Sequence, residues 1–257
     1  SAIYMNGMLM GEFIGAGITL PVLMPLLDNS WPATMLAWSL PALLVAAALF
    51  LPKRDLARPA RKAAWLPDWK NPLTLRLGLL LGLSGSMFFG LNAYMGNLLE
   101  QQGRIGLLSE ALFWYNIAQV FASLVMLKMA RAWVGRRTFI VVMAVLSIAG
   151  TAGTLVLEGW WFIASATLMS FVAGILLILL VALPPLLVSS AETGRLSAGT
   201  FLVGYTMAFS VPMLGGLLAD WTGDTRHAVM AMVAYSLLVL PLAFTLDLKR
   251  KKDQPAS

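Results

Sequence analysis

Eight stretches of about 20 mostly apolar residues follow one another along this sequence, near residues 4–27, 32–51, 74–98, 108–130, 137–157, 160–188, 198–219 and 228–247. A helix rising 1.5 Å per residue needs about 20 residues to cross ~30 Å of hydrocarbon. The pattern predicts an all-α integral membrane protein with eight transmembrane helices and the lipid bilayer as its solvent. Charged residues make up only 12% of the 257 positions, about half the usual quarter for a soluble domain. Gly15, Gly17, Pro21, Pro25, Pro184 and Pro185 lie inside the runs. They would punctuate a soluble helix but are common in membrane helices, where small residues permit close packing.

Charge then orients the chain. The most polar segment, Pro52 to Arg76, holds Lys53, Arg54, Arg58, Arg61, Lys62, Lys70 and Arg76 against Asp55 and Asp68, and its four prolines prevent one continuous helix. With Lys128, Arg131, Arg136, Arg137, Arg195 and Lys249 to Lys252, one set of loops carries sixteen of the 18 Lys and Arg; only Arg104 and Arg226 occupy the other. Basic loops resist translocation, so both termini of this chain are expected in the cytoplasm of a multi-pass protein of the cell (inner) membrane. Asp28, Glu100, Glu110, Glu158, Asp220 and Asp224 are then expected on or near the outer face. The net charge of +6 is explained by topology, and no nucleic-acid partner is expected. The chain starts at Ser1 and enters an apolar run almost at once, so its beginning is expected to be missing.

Chemistry is sparse. There is no cysteine, which excludes disulfides, thiolate metal sites and thiol nucleophiles. A phosphate-cradling Gly-Lys-Ser/Thr loop, a His-x-x-x-His pair and a carboxylate cluster are all missing from the sequence. The expectation is a protein that is not an enzyme and needs no metal or cofactor. The informative residues are polar groups at membrane depth, which are rare and costly. Glu12, in the first span, is either a proton-coupling or substrate-contacting carboxylate or a residue near the interface or bonded to a neighbouring helix. Asn92 and Tyr94, Asn116 and Gln119, and Tyr205 with Ser210 form the remaining set, with Tyr115 and Ser123 near the second pair. Asn116 and Gln119, three apart, share a helix face. Amides and phenols suit a small polar or anionic solute, and they serve equally as bridges between packed helices. Arg131, Arg136 and Arg137 can hold carboxylates and helix C-termini as a latch between conformations, or simply satisfy topology. His227 is expected to be solvated. Trp31, Trp65, Trp69, Trp133, Trp160, Trp161 and Trp221, near span ends, read as interfacial anchors.

Three motifs carry a resemblance. Phe88 to Gly103 reads FFGLNAYMGNLLEQQG, Met129 to Arg137 reads MARAWVGRR, and Gly199 to Gly223 reads GTFLVGYTMAFSVPMLGGLLADWTG. In this order, after a long basic loop, they resemble the seventh helix, the degenerate cytoplasmic loop repeat and the penultimate helix of major facilitator superfamily transporters, nearest the cyanate-permease (cyanate/nitroimidazole transporter) branch. Arg131 stands near where that loop usually has its acid. The resemblance implies a partial twelve-helix fold: residues 1–51 as the last two helices of the N-terminal half, 52–73 as the cytoplasmic central loop, 74–248 as a complete C-terminal six-helix half, and 249–257 as a basic tail. It further implies a secondary active transporter working by alternating access, with a small organic or anionic solute and protons as the coupling ion. Lining roles are implied most for Asn92, Asn116 and Tyr205. With the first four helices absent, transport is expected of the complete protein and not of this chain alone. The competing expectation is a non-transporting membrane sensor or assembly subunit derived from a transporter half.

Overall fold

The computed structural model describes residues 15, 17–48 and 66–248. All regular structure among them is helical, and six helices are long and apolar enough to cross a membrane. A π-helical turn (Thr19–Leu23) runs into α1 (Met24–Leu26), and Asp28 and Asn29, both at positive φ, turn the chain into α2 (Trp31–Ala48). This pair is bent by 105° and adds a seventh crossing if it acts as one broken span. Pro21 and Pro25 explain the irregular winding, since each lacks the N–H that would continue the ladder. The eight expected spans thus stand at six, or up to seven, among the described residues. Glu12, most of the basic segment (Lys53 to Trp65) and Lys249 to Lys252 lie outside them.

The remaining helices form an up-and-down bundle: α3 (Pro72–Gln101), α4 (Leu108–Trp133), α5 (Arg137–Val156), α6 (Gly159–Val181), the short α7 (Pro184–Leu187), α8 (Ser190–Thr222), α9 (Arg226–Val239) and the short α10 (Pro241–Phe244). The starts of α3 and α8 follow from local chemistry. The Asn71 side chain accepts from the Leu73 N–H at 3.0 Å with Pro72 in the first turn, an arrangement that satisfies one free donor and omits another. Ser189 and Glu192 form a capping box, so α8 begins eight residues before the apolar run does. Pro184 and Pro185 end the sixth apolar run early, splitting it into α6 and α7.

Helix α3 is the hub. It packs along α8 and also touches α4, α5, α6 and α9. Leu77, Leu80, Leu83, Met87, Leu91, Met95 and Leu98 are buried along it at three- and four-residue steps. Small residues bring the two long helices together: an added Cβ at Gly78, Gly82 or Gly85 would lie 2.5–2.7 Å from Val203, Met207 or Ala208 of α8. Backbones can approach this closely only where side chains are missing.

Two polar clusters mark the ends. At one end Gln101 donates to the Gly223 carbonyl and accepts from the Thr225 N–H, and Gln102 donates to the Leu157 carbonyl. Arg104 faces Glu158 at 3.8 Å, and the His227 Nδ1 lies 2.8 Å from the Thr222 hydroxyl. At the other end Arg137 donates to the Phe244 carbonyl at 2.6 Å, capping α10, and Arg195 donates to the Leu66 carbonyl at 2.9 Å. Among the described residues, Arg104 and Arg137 with Arg195, assigned to opposite loop sets by charge, therefore lie at opposite ends of one bundle. Trp31, Trp69, Trp133, Trp160, Trp161 and Trp221 all lie at or near helix ends.

Candidate functional site

Four helices, α3, α4, α6 and α8, converge on a cavity of about 40 Å³. Ser84, Phe88 and Phe89 of α3, Gln119 of α4, Ala173 of α6 and Tyr205 of α8 form much of its wall. The volume suffices for ordered water, which needs roughly 10–15 Å³. Aromatic stacking frames it: Phe88 lies on Tyr115 with ring centroids 5.3 Å apart, and Phe89 lies on Phe209 at 5.4 Å. Tyr205 stacks between Phe201 and Phe209 and is 46% exposed.

Gln119 is the polar centre of this region, and only 2% of it is exposed. Its Nε2 donates to the Ser170 carbonyl at 2.6 Å and to the Ser170 hydroxyl at 3.2 Å, and that hydroxyl donates to the Tyr115 carbonyl at 2.6 Å. A carbonyl can only accept, so the NH₂ must face Ser170 and the flipped amide is excluded. The Oε1 is left buried with no hydrogen-bond partner among the described residues. It packs against Gly174, where an added Cβ would come within 2.1 Å of it.

Asn116 repeats the pattern one turn earlier. Its Nδ2 donates to the Leu112 carbonyl at 2.8 Å, which fixes the amide, and its Oδ1 is buried without a partner among the described residues. The Ser123 hydroxyl, one turn later, is also buried and unpartnered among them. Residues 116, 119 and 123 fall on one face of α4. Each unsatisfied buried group costs about 1–3 kcal/mol, a cost that a donor supplied by water or a solute would offset.

The other expected residues are dispersed. Tyr94 donates to the Pro212 carbonyl at 2.9 Å and fits the space above Gly216, tying α3 to α8. Asn92, half-buried, makes no hydrogen bond among the described residues. Two positions apart on a helix is about 200°, so the two cannot serve one site. Arg131 and Arg136 are exposed at the basic end, where only Arg137 of the three holds a helix C-terminus. Glu12 lies outside the described residues. Ser84, which donates to the Ala173 carbonyl at 2.9 Å, and Ser170 are functional candidates that sequence reasoning missed. Serine is too common in membrane helices to stand out, and Ser170 is identified only by its two partners.

The buried Tyr115 hydroxyl donates to the Phe88 carbonyl at 2.8 Å and holds the cavity's aromatic wall. Tyr115→Phe is expected to cost about 1 kcal/mol, read as a lower melting temperature in detergent with helix content unchanged. No protein-family model matches this chain and no curated protein matches it in sequence, so the site itself carries the functional argument.

Proposed function

We propose that the protein is a secondary active transporter of the major facilitator kind, nearest the cyanate-permease branch, carrying a small organic solute by alternating access. The observation that carries this reading is the oriented amide of Gln119 on α4, whose oxygen is buried without a donor at a cavity where four helices meet. Helical bundles place solute sites between helices, with a few convergent polar groups in an apolar wall. The three sequence motifs, and a bundle with a basic end and an end bearing the Arg104–Glu158 pair, support the same reading. On the positive-inside rule the Arg137 end faces the cytoplasm of the inner membrane.

The unsatisfied group narrows the solute. An unsatisfied acceptor at the cavity, the Gln119 Oε1, selects a molecule that brings an N–H or O–H donor and disfavours one that only accepts, such as cyanate. A neutral or cationic nitrogen compound fits best, with protons as the coupling ion.

The test is uptake by the full-length protein in proteoliposomes, with labelled imidazole, urea and cyanate as probes and an imposed inward proton gradient. Uptake of imidazole or urea, faster with the gradient and absent for cyanate, is the expected result. Failure of all three to enter with well-folded protein favours the non-transporting sensor or assembly subunit.

A further inference from the structure

We propose that the hollow beside Arg131, at the basic end of the bundle, binds the phosphate of an anionic phospholipid. The hollow measures about 380 Å³ and is bordered by Arg131 in the last turn of α4, Gly135 of the α4–α5 connection, Leu183 between α6 and α7, Leu186 and Leu187 of α7, and Leu248. That volume lies within the roughly 300–1,000 Å³ of small-molecule sites. The fold makes it in two steps. The break between α6 and α7 at Pro184 and Pro185 sets Leu183, Leu186 and Leu187 along one wall of the hollow. Gly135, at φ +80°, turns the chain tightly, and a Cβ there would meet only Leu186 at 3.8 Å, so the floor stays open.

The charges around the hollow are not neutralised. Arg137 and Arg195 are used by the Phe244 and Leu66 carbonyls. Arg131, Lys128 and Arg136 are exposed and make no hydrogen bond or ion pair among the described residues. Lys128 and Arg131, three apart, lie on one side of α4. Four more basic residues, Lys249 to Lys252, follow Leu248 directly in the sequence. A second hollow of about 460 Å³ shares Gly135 and Leu248 and is lined by both Arg137 and Asp247, with Arg137 already donating to the Phe244 carbonyl. The Arg131 hollow has a guanidinium without a hydrogen bond or ion pair among the described residues and no carboxylate in its lining, which suits it to phosphate.

Topology alone calls for positive charge at this end but not for a cavity with an apolar wall. A guanidinium offers a planar fork of donors to phosphate oxygens, and a free phosphate would need nothing else. The leucine wall suits the glycerol and upper acyl chain of a lipid. Trp133, at the end of α4 and stacked on Phe139 of α5 at 4.8 Å, has the amphipathic ring character that settles at the headgroup level. Basic pockets between membrane helices at the positive end are suited to anionic headgroups. The inference is independent of what, if anything, the bundle transports.

The experiment is native mass spectrometry and thermal melting of the full chain with dioleoyl phosphatidylglycerol or dioleoyl phosphatidylcholine, with Arg131→Ala, Arg136→Gln and Leu186→Asn as variants. Retained phosphatidylglycerol, and a higher melting temperature in it than in phosphatidylcholine, are expected for the unaltered chain. Arg131→Ala is expected to weaken that binding about tenfold or more, the effect of losing a charge-assisted hydrogen bond, and Leu186→Asn to weaken it less. Arg136→Gln removes the same charge from outside the hollow and is expected to change little. Melting in phosphatidylcholine alone reports whether each variant is folded. Equal losses in Arg131→Ala and Arg136→Gln, or no preference between the lipids, would overturn the proposal. Displacement of the lipid by millimolar inorganic phosphate would also count against it.

Discussion

Gly215→Val will destabilise the bundle by about 1–3 kcal/mol, the usual cost of forcing extra carbon into a packed interior. A Cβ at Gly215 would lie 2.8 Å from the Ala228 carbonyl oxygen and 3.0 Å from its Cα. These are backbone atoms of α9 and cannot swing aside as a side chain can, so α8 and α9 must separate. Separation also loosens the end cluster beyond it, where Gln101 holds the Gly223 carbonyl and Thr225 N–H. Gly194→Ala supplies the control. It lies in the same helix with nothing within 4 Å of an added Cβ, and alanine in a helix interior is favoured over glycine by roughly 0.5–1 kcal/mol. Melting in one detergent is expected to move in opposite directions for the two variants. A shared direction would mean that helix propensity, and not the α8–α9 contact, sets the response.

The hydropathy pattern located the six long helices because each must present about 20 apolar residues to lipid, whatever it packs against. Their ends were less legible. The first turns of α8, Ser-Ala-Glu-Thr-Gly-Arg, are too polar to join an apolar run, although the Ser189–Glu192 box was readable as a start signal. The split of α6 from α7 was also readable at Pro184 and Pro185, once their membrane tolerance is weighed against two prolines in succession. For the site, the three-residue spacing of Asn116 and Gln119 puts both on one side of α4. It did not separate their partners. Positions three apart still differ by about 60° around the helix, which turns Asn116 toward Gly17 and Gln119 toward Ser170 and Gly174. Tyr94 could not be distinguished from a cavity residue by sequence, because its role depends on a carbonyl 118 positions away.

Gln119 offers the sharpest separation of a solute site from interhelical packing, because the two readings predict opposite signs. If Gln119 mainly bridges α4 and α6, replacing it loses the bonds to Ser170, and such bonds contribute about 0.6–2 kcal/mol in membranes. If its unpartnered oxygen is held ready for a solute, the resting protein bears the cost of burying it, about 1–3 kcal/mol. Methionine matches glutamine in length and has no strong acceptor to leave unsatisfied. Gln119→Met is therefore expected to melt at the same or a higher temperature while uptake of the accepted solute falls at least about tenfold, the equivalent of 1.4 kcal/mol. Stability retained at the expense of activity is the signature of a site residue. Gly174→Ala approaches the same oxygen from the other side. Its Cβ would fall within 2.1 Å of Oε1 and 3.1 Å of the Ala122 Cβ, pushing the amide off Ser170 without changing its chemistry. Uptake is expected to fall here too, now with a loss of stability, and the double variant with Gln119→Met should recover much of that stability because a thioether can bend around the new methyl. A lower melting temperature for Gln119→Met with uptake unchanged would make Gln119 a structural bridge and move the search for the solute site to Asn116 and Ser123 on the same helix face.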